Sequence, residues 1–206
     1  MAETRSLAAS TDLVFALHGE TLPAGYRAGL WAALLDRLPW LADEPLAGVH
    51  PLRVPATLDA VVLLPRRARL GLRIPRERLA DAARLSGCEL EVAGSRLRVG
   101  DAHERPLLAH PTVQAVFVAA DDDAGDEQAF HAWIDALLRA AAGPTPHICG
   151  RMKTLETGDG ALYGASVVLH GLAPAQSLWW QRVGLGGRRS HGCGLMVPHK
   201  IIAGID

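Results

Sequence analysis

GLGGRRSHGCGLMVPHK, residues 184–200, is the stretch from which the rest of the chain is best read. Five glycines fall within Gly184–Gly194, Arg188 and Arg189 sit among them, and an apolar run, Leu195-Met196-Val197, ends at Pro198. Glycine allows positive φ and brings main-chain N–H groups close to a ligand. Arginine adds a planar, permanently charged fork that suits phosphate. The stretch therefore reads as a loop shaped for a polyanion that leads into a strand, or as a flexible turn with solvated arginines. It is not a Walker loop, because no Gly-Lys-Ser/Thr closes it. It is not a dinucleotide fingerprint either. That motif runs strand, glycines, helix, whereas here the glycines precede the strand.

Working back from the loop, Pro174 opens a helix carrying Leu178, Trp179 and Val183. Before it, Ile148–Leu155 and Leu162–Leu169 flank Thr157-Gly158-Asp159-Gly160, a hairpin signal. Phe130, Trp133, Ile134, Leu137, Leu138 and Ala141 make an amphipathic helical face that stops at Gly143-Pro144. The acidic segment 121–127 precedes it, placing negative charge at a helix start. Val113–Ala119 is an apolar strand. Residues 106–206 thus read β-α-β-β-α-β.

The same order occupies residues 1–105. Leu13–Leu17 is a buried strand, and Thr21–Gly25 has loop chemistry. Leu30, Trp31, Leu34, Leu35 and Leu38 recur at helical spacing up to Pro39. Val49–Val54 is a short edge strand containing Pro51, and Pro55–Asp59 is a turn. Ala60–Leu64 and Leu70–Ile74 are strand-like. Pro75 opens a helix that Gly87 ends, and Glu89–Val99 alternates around Gly94 as a hairpin. The expected fold is α+β, two tandem ferredoxin-like (βαββαβ) units with a glycine-rich loop before the last strand. Only the order of elements repeats; no close sequence repeat is visible.

Composition narrows the function classes. A net charge of −1 over 206 residues argues against broad, non-specific nucleic-acid affinity. Charge is unevenly placed, however: Arg66, Arg67, Arg69, Arg73, Arg76 and Arg78 cluster, as do Asp121, Asp122, Asp123, Asp126 and Glu127. Three widely spaced cysteines, Cys88, Cys149 and Cys193, suggest no disulfide framework and fit a reducing cytoplasm. No apolar run reaches membrane-span length, and no secretory signal is expected around Glu3 and Arg5.

Six stretches carry a resemblance. They are LPAGYRAGLWAALLDRLPWL (22–41), GVHPLR (48–53), LLPRRARLGLRIP (63–75), CGRMKTL (149–155), YGASVVLHGLAPAQSL (163–178) and the loop at 184–200. In this order they make the chain similar to the RAMP superfamily of CRISPR-associated proteins. Within it, the chain resembles the endoribonucleases that process precursor CRISPR RNA into guide RNAs. The resemblance implies a CRISPR repeat RNA hairpin and its guide-RNA product as partners, with other subunits of a CRISPR effector complex as further partners. It implies no membrane and no cofactor. The implied reaction is metal-independent: the ribose 2′-OH attacks the adjacent phosphorus, giving a 5′-OH and a 2′,3′-cyclic phosphate. A catalytically weak or inactive hairpin-binding subunit is the alternative it leaves open.

The reaction asks for a base titrating near neutrality, which favours histidine. His50, in GVHPLR, is the first candidate, with Arg53 three residues on and Tyr26 as partner; His18 is the reserve. Many family members carry an Asp-His pair where this chain has Gly25-Tyr26. That departure makes His50 the sole imidazole of the site, or implies a copy that cuts slowly or not at all. The expected RNA contacts are Arg66, Arg67, Arg69, Arg151 and Lys153, then Gly184, Gly186, Gly187, Arg188, Arg189, His199 and Lys200. Trp179 and Trp180 are candidates for stacking, though neighbours on a helix cannot share one face. His147-Ile148-Cys149 and His191-Gly192-Cys193 raise a zinc site as a rival reading, against two small buried thiols. The spacing within each pair is shorter than structural zinc prefers, and no metal is expected.

Overall fold

Strand and helix patterns organise two sheets in a computed structural model that describes residues 9–54, 60–121 and 126–199. In β1 (Ser10–His18), Leu13, Phe15 and Leu17 are buried in the first core. There follow β2 (Thr21–Pro23), α1 (Tyr26–Arg37), a 3-10 turn (Pro39–Asp43), β3 (Gly48–Val49), β4 (Val61–Leu63) and β5 (Arg69–Pro75). A second 3-10 turn (Arg76–Arg78) runs into α2 (Leu79–Ala83), then β6 (Glu89–Val92) and β7 (Ser95–Pro106) close this half. The other half contains β8 (Val113–Ala119), α3 (Glu127–Ala142), β9 (His147–Cys149), β10 (Lys153–Glu156), β11 (Ala161–Leu169) and α4 (Pro174–Val183). It ends with a 3-10 turn (Arg189–His191) and β12 (Val197–Pro198).

The first sheet has the order β3-β5-β1-β7-β6, and the second β10-β11-β8-β12 with β9 also paired to β11. Pairing is antiparallel in both. In each sheet the opening strand lies between the strand before the second helix and the strand that closes the half. The chain is α+β, as expected. Leu30, Leu34 and Ala82 of the helices join Leu13, Phe15, Leu70 and Leu72 in one core. Phe130, Ile134, Leu138 and Trp180 join Val113, Ala115, Val167 and Leu169 in another. Trp180 is thus core and not a surface stacking platform.

Several boundaries differ from expectation for identifiable reasons. Residues 21–25 read as loop, yet β2 pairs with β4 in a separate two-stranded sheet, so the strand expected at 60–64 never joins the main sheet. The strand expected at 49–54 stops at Val49, as Pro51 cannot donate to a ladder. Ile148–Leu155 splits into β9 and β10 at Gly150, where a Cβ would lie 2.3 Å from Ser166 Oγ. The turn expected at 55–59 and most of the acidic segment expected at 121–127 (residues 122–125) fall outside the described residues, as does Lys200.

Several links among the described residues join the halves. The linker is strapped to α4, since Gln181 Nε2 donates to Leu108 O (2.9 Å) and His110 N–H to Ser177 Oγ (3.0 Å). The β10–β11 turn docks on the start of α1, which has no side-chain cap: Ala28 N–H donates instead to Thr157 O at 2.8 Å. Buried Arg73 supplies another, described next with those of Arg27 and Arg189.

Candidate active site

His50 follows β3 directly, and its N–H donates to Gly71 O of β5 at 2.8 Å. Its ring lies over Gly71; a Cβ there would come within 3.0 Å of His50 Cδ2. The imidazole Nε2 is 2.9 Å from Asp12 Oδ1. The His50 side chain keeps 13% of its exposure and Asp12 3%, so the base candidate reaches the surface while its partner does not.

Asp12 stands opposite Arg73 in the β1–β5 register and opposite Arg105 in the β1–β7 register. Directly opposed side chains in antiparallel strands share one face of the sheet. Arg73 grips the carboxylate with Nε on Oδ1 (2.8 Å) and Nη2 on Oδ2 (3.1 Å), and Arg105 Nη2 adds a bond to Oδ2 (2.9 Å). The remaining Arg73 donor, Nη1, reaches Gln181 O and Met196 O of the other half, each at 2.6 Å. Burial opposes the Asp12 charge, but the hydrogen bond and charge of His50 and the charge of Arg73 outweigh it. The carboxyl is held well below the usual carboxylate range. For His50, burial pushes proton affinity down; the Asp12 bond pulls it up without restoring it, and Arg73 and Arg105 push it down again. The ring is therefore neutral at neutral pH, as a proton acceptor must be.

Tyr26 is buried, and its hydroxyl accepts the Leu52 N–H at 3.2 Å. Burial pushes the phenol up. It holds the segment that carries His50, two residues along. Arg53 is exposed beyond it. His18, the reserve, is exposed at the end of β1.

The glycine loop divides into an inner and an outer part. Gly184, at φ 72°, caps α4, and Leu185 N–H donates to Gly194 O at 2.9 Å. Gly186, Gly187 and Arg188 are exposed. Arg189 corrects the expectation that both arginines face RNA. It is turned inward by the 3-10 turn and donates to Leu46 O (2.6 Å), Ala47 O (3.3 Å) and Val183 O (3.0 Å). Burial and the charge of Arg73 lower it to about 10. Gly48 sits against Arg189 with no room for a Cβ, so the loop's inner part braces β3. Gly184 is buried too, so neither it nor Arg189 offers a ligand contact.

Arg66, Arg67 and Arg69 are exposed around the turn before β5, and no carboxylate among the described residues forms an ion pair with them. Arg151 and Lys153 are exposed on the other half, with Lys153 Nζ 5.8 Å from the Phe117 ring centroid. His199 is half-buried, and its N–H donates to Thr112 O at 3.0 Å.

Asp12, which no motif singled out, and Arg73, named only within the arginine cluster, belong to this neighbourhood, as do His191 of the second His-x-Cys pair and Asp159 of the hairpin signal. His191 Nε2 lies 3.3 Å from both oxygens of Asp159 in the β10–β11 turn, and its carbonyl accepts from Arg27 Nη1. Gly192 packs against Val49 O and Pro51, which brings this second imidazole's turn against the His50 segment. The His-x-Cys pairs do not converge on a metal site: among the described residues no three His, Cys, Asp or Glu side chains gather. Burial pushes the Cys193 thiol up to about 11. Among the described residues, no helix is long and apolar enough to cross a membrane.

Comparison with known proteins places the fold and the family. The CRISPR-associated endonuclease Cas6 of Myxococcus xanthus (strain DK1622) is 33% identical over 187 residues, covering 91% of this chain and 80% of that protein. A solved CRISPR associated protein Cas6 superposes with a TM-score of 0.65 at 11% identity over 93% of this chain and 100% of its own. A RAMP protein described as binding different RNA substrates superposes with a TM-score of 0.66 at 13% identity over 92% of this chain and 100% of its own. At those identities the structures speak for the fold alone. The sequence model described as Cas6 Crispr matches residues 11–201, and the chain belongs to the Cas6 family of CRISPR-associated proteins.

Proposed function

We propose that the protein is a metal-independent endoribonuclease that binds the CRISPR repeat hairpin and cuts precursor CRISPR RNA into guide RNAs. The observation that supports this best is His50, reaching the surface with its ring nitrogen 2.9 Å from the buried Asp12 carboxylate, beside the glycine loop. In this reading His50 removes the 2′-OH proton, the 2′-oxygen bonds to phosphorus, and the bond from phosphorus to the 5′-oxygen breaks. The departing oxygen takes a proton from a general acid, leaving a 5′-OH and a 2′,3′-cyclic phosphate. Arg53 stands three residues from the base as the cation for charge developing on the phosphate. Tyr26 acts through the backbone of Leu52, not on the RNA. Exposed Gly186, Gly187, Arg188, Arg66, Arg67, Arg69, Arg151 and Lys153 hold the RNA backbone, joined by His199. Arginines at a strand turn suit an A-form stem, whose deep groove excludes most side chains and leaves the phosphates to be read. Product retention within a CRISPR effector complex is compatible with this site.

The test is cleavage of the repeat RNA of the neighbouring array in EDTA, comparing wild type with His50→Ala, beside an RNA with a 2′-deoxy group before the cut. Cutting by wild type, abolished by either change without loss of binding, is expected. Normal cutting by His50→Ala would remove His50 from the site. Tight binding without any cutting would establish the hairpin-capping subunit instead.

A further inference from the structure

We propose that Asp12 is the positioning residue of this reaction, fixing His50 in the tautomer that carries its proton on Nε2 and leaves Nδ1 as the atom that accepts the 2′-OH proton. The inference rests on His50 being the base. It begins with geometry. His50 Nε2 is 2.9 Å from Asp12 Oδ1, and both Asp12 oxygens are already fixed from the far side by Arg73 and Arg105. A carboxylate held between two guanidinium groups carries no proton, so it can only accept. The neutral ring has one N–H, and this contact claims it for Nε2. The other ring nitrogen keeps its lone pair.

The site also fixes orientation. Asp12 lies on the central strand of its sheet, flanked by β5 and β7, and its carboxylate cannot swing without breaking four hydrogen bonds. The ring is held from below by Gly71, where a Cβ would crowd Cδ2. A ring fixed at both its edge and its face presents one nitrogen in one direction, which is what positioning asks of a general base.

The charges facing His50 act in opposite senses. Asp12 from β1 stabilises the imidazolium that forms as the proton arrives. Arg73 from β5 and Arg105 from β7 disfavour it. His103 of β7 stands one pair along on the same face, opposite Val14, and is exposed. Removing the carboxylate therefore lowers the pH at which His50 becomes a competent base, while removing Arg105 raises it.

The experiment uses the full chain and the repeat RNA in single-turnover cleavage across about pH 5 to 9, with RNA affinity and thermal unfolding measured on each variant. Asp12→Asn is expected to lower the plateau rate about 100-fold, move the acidic limb of the profile to lower pH, and change RNA affinity little. Arg105→Ala, an exposed truncation, is expected to move the same limb to higher pH. Nitrogen-15 histidine spectra of the free wild-type protein are expected to show His50 protonated on Nε2. An Nδ1-protonated His50 would overturn the proposal, as would an Asp12→Asn profile unchanged in plateau and limb while His50→Ala is dead. If Asp12→Asn does not fold, an unmoved limb in Arg105→Ala overturns it. Normal cutting by His50→Ala instead defeats the underlying assignment of the base.

Discussion

Asp12 and Arg73 lie directly opposite one another on β1 and β5, joined by hydrogen bonds of 2.8 and 3.1 Å, with Arg73 wholly buried. The pair does more than close a charge. The third Arg73 donor reaches the carbonyls of Gln181 and Met196, so one guanidinium couples the His50 support to the end of α4 and the last strand. Arg73→Met would leave a buried carboxylate with one fewer cation and two carbonyls unpaired, and is expected to destabilise by about 3–5 kcal/mol. Arg73→Lys is expected to recover little, since an ammonium cannot serve the carboxylate and two carbonyls from one planar fork. Urea unfolding midpoints of the two variants check both.

Gly25 stands at the N-cap of α1. Its φ of −84° needs no glycine. What needs glycine is space, since a Cβ would lie 2.8 Å from Gly158 N, and Gly158 in turn sits against Gly25 O. Gly25→Ala is expected to push the β10–β11 turn off the helix and cost about 1–3 kcal/mol, with the Ala28–Thr157 bond lost. Gly187→Ala is the control. A Cβ there meets nothing within 4 Å, and its unfolding midpoint is expected to stay within about 0.5 kcal/mol of wild type.

The class of the fold was legible because its longest elements have clean periods. β8 and α3 have apolar spacing that survives any reading, and a carboxylate, Asp126, that accepts Ala129 N–H to start the helix. Short elements were misjudged where partners decide. β2 and β4 exist because they meet each other, which neither segment announces. His50 was open to nomination from its residue type alone, since the proposed chemistry asks for a base near neutrality. Asp12 was not, since its partners lie 38, 61 and 93 residues away and meet only in the register of the sheet. Arg73 was a signal of sorts: a lone charge inside an apolar strand asks for a buried partner. Arg188 and Arg189 look equivalent in a loop, and only the turn at Arg189–His191 sends one outward and one inward.

That division separates the proposed RNA contact of Arg188 from the structural role of Arg189. Arg188 is exposed with φ 60°, a conformation glycine tolerates better. Arg188→Gly is expected to weaken repeat-RNA binding and shallow its salt dependence by about one charge, with no loss of stability. Arg189→Ala removes the donors to the carbonyls of Leu46, Ala47, Val183 and Arg182 and is expected to lower stability by about 2–4 kcal/mol. Salt-titrated RNA binding alongside urea unfolding separates the two.

The ionisation of the Asp12–His50 pair sets how the fold responds to acid. His50 binds a proton less readily folded than its ordinary value of 6.5. The unfolded chain therefore takes up that proton first, and stability present above about pH 6.5 is lost as the pH falls below it. Asp12 is likewise depressed from 3.8, so its share is present above that value and is lost at still lower pH. Both groups act in the same sense, in successive windows. Urea midpoints of wild type are expected to fall between about pH 7 and 5, before general acid unfolding begins. His50→Gln, which cannot titrate, is expected to flatten that first window and, because His50 is the first of the groups that hold Asp12 down, to weaken the second. A wild-type midpoint that rises toward pH 5 would mean that His50 gains its proton on folding, with the Asp12 carboxylate outweighing burial and the two arginines.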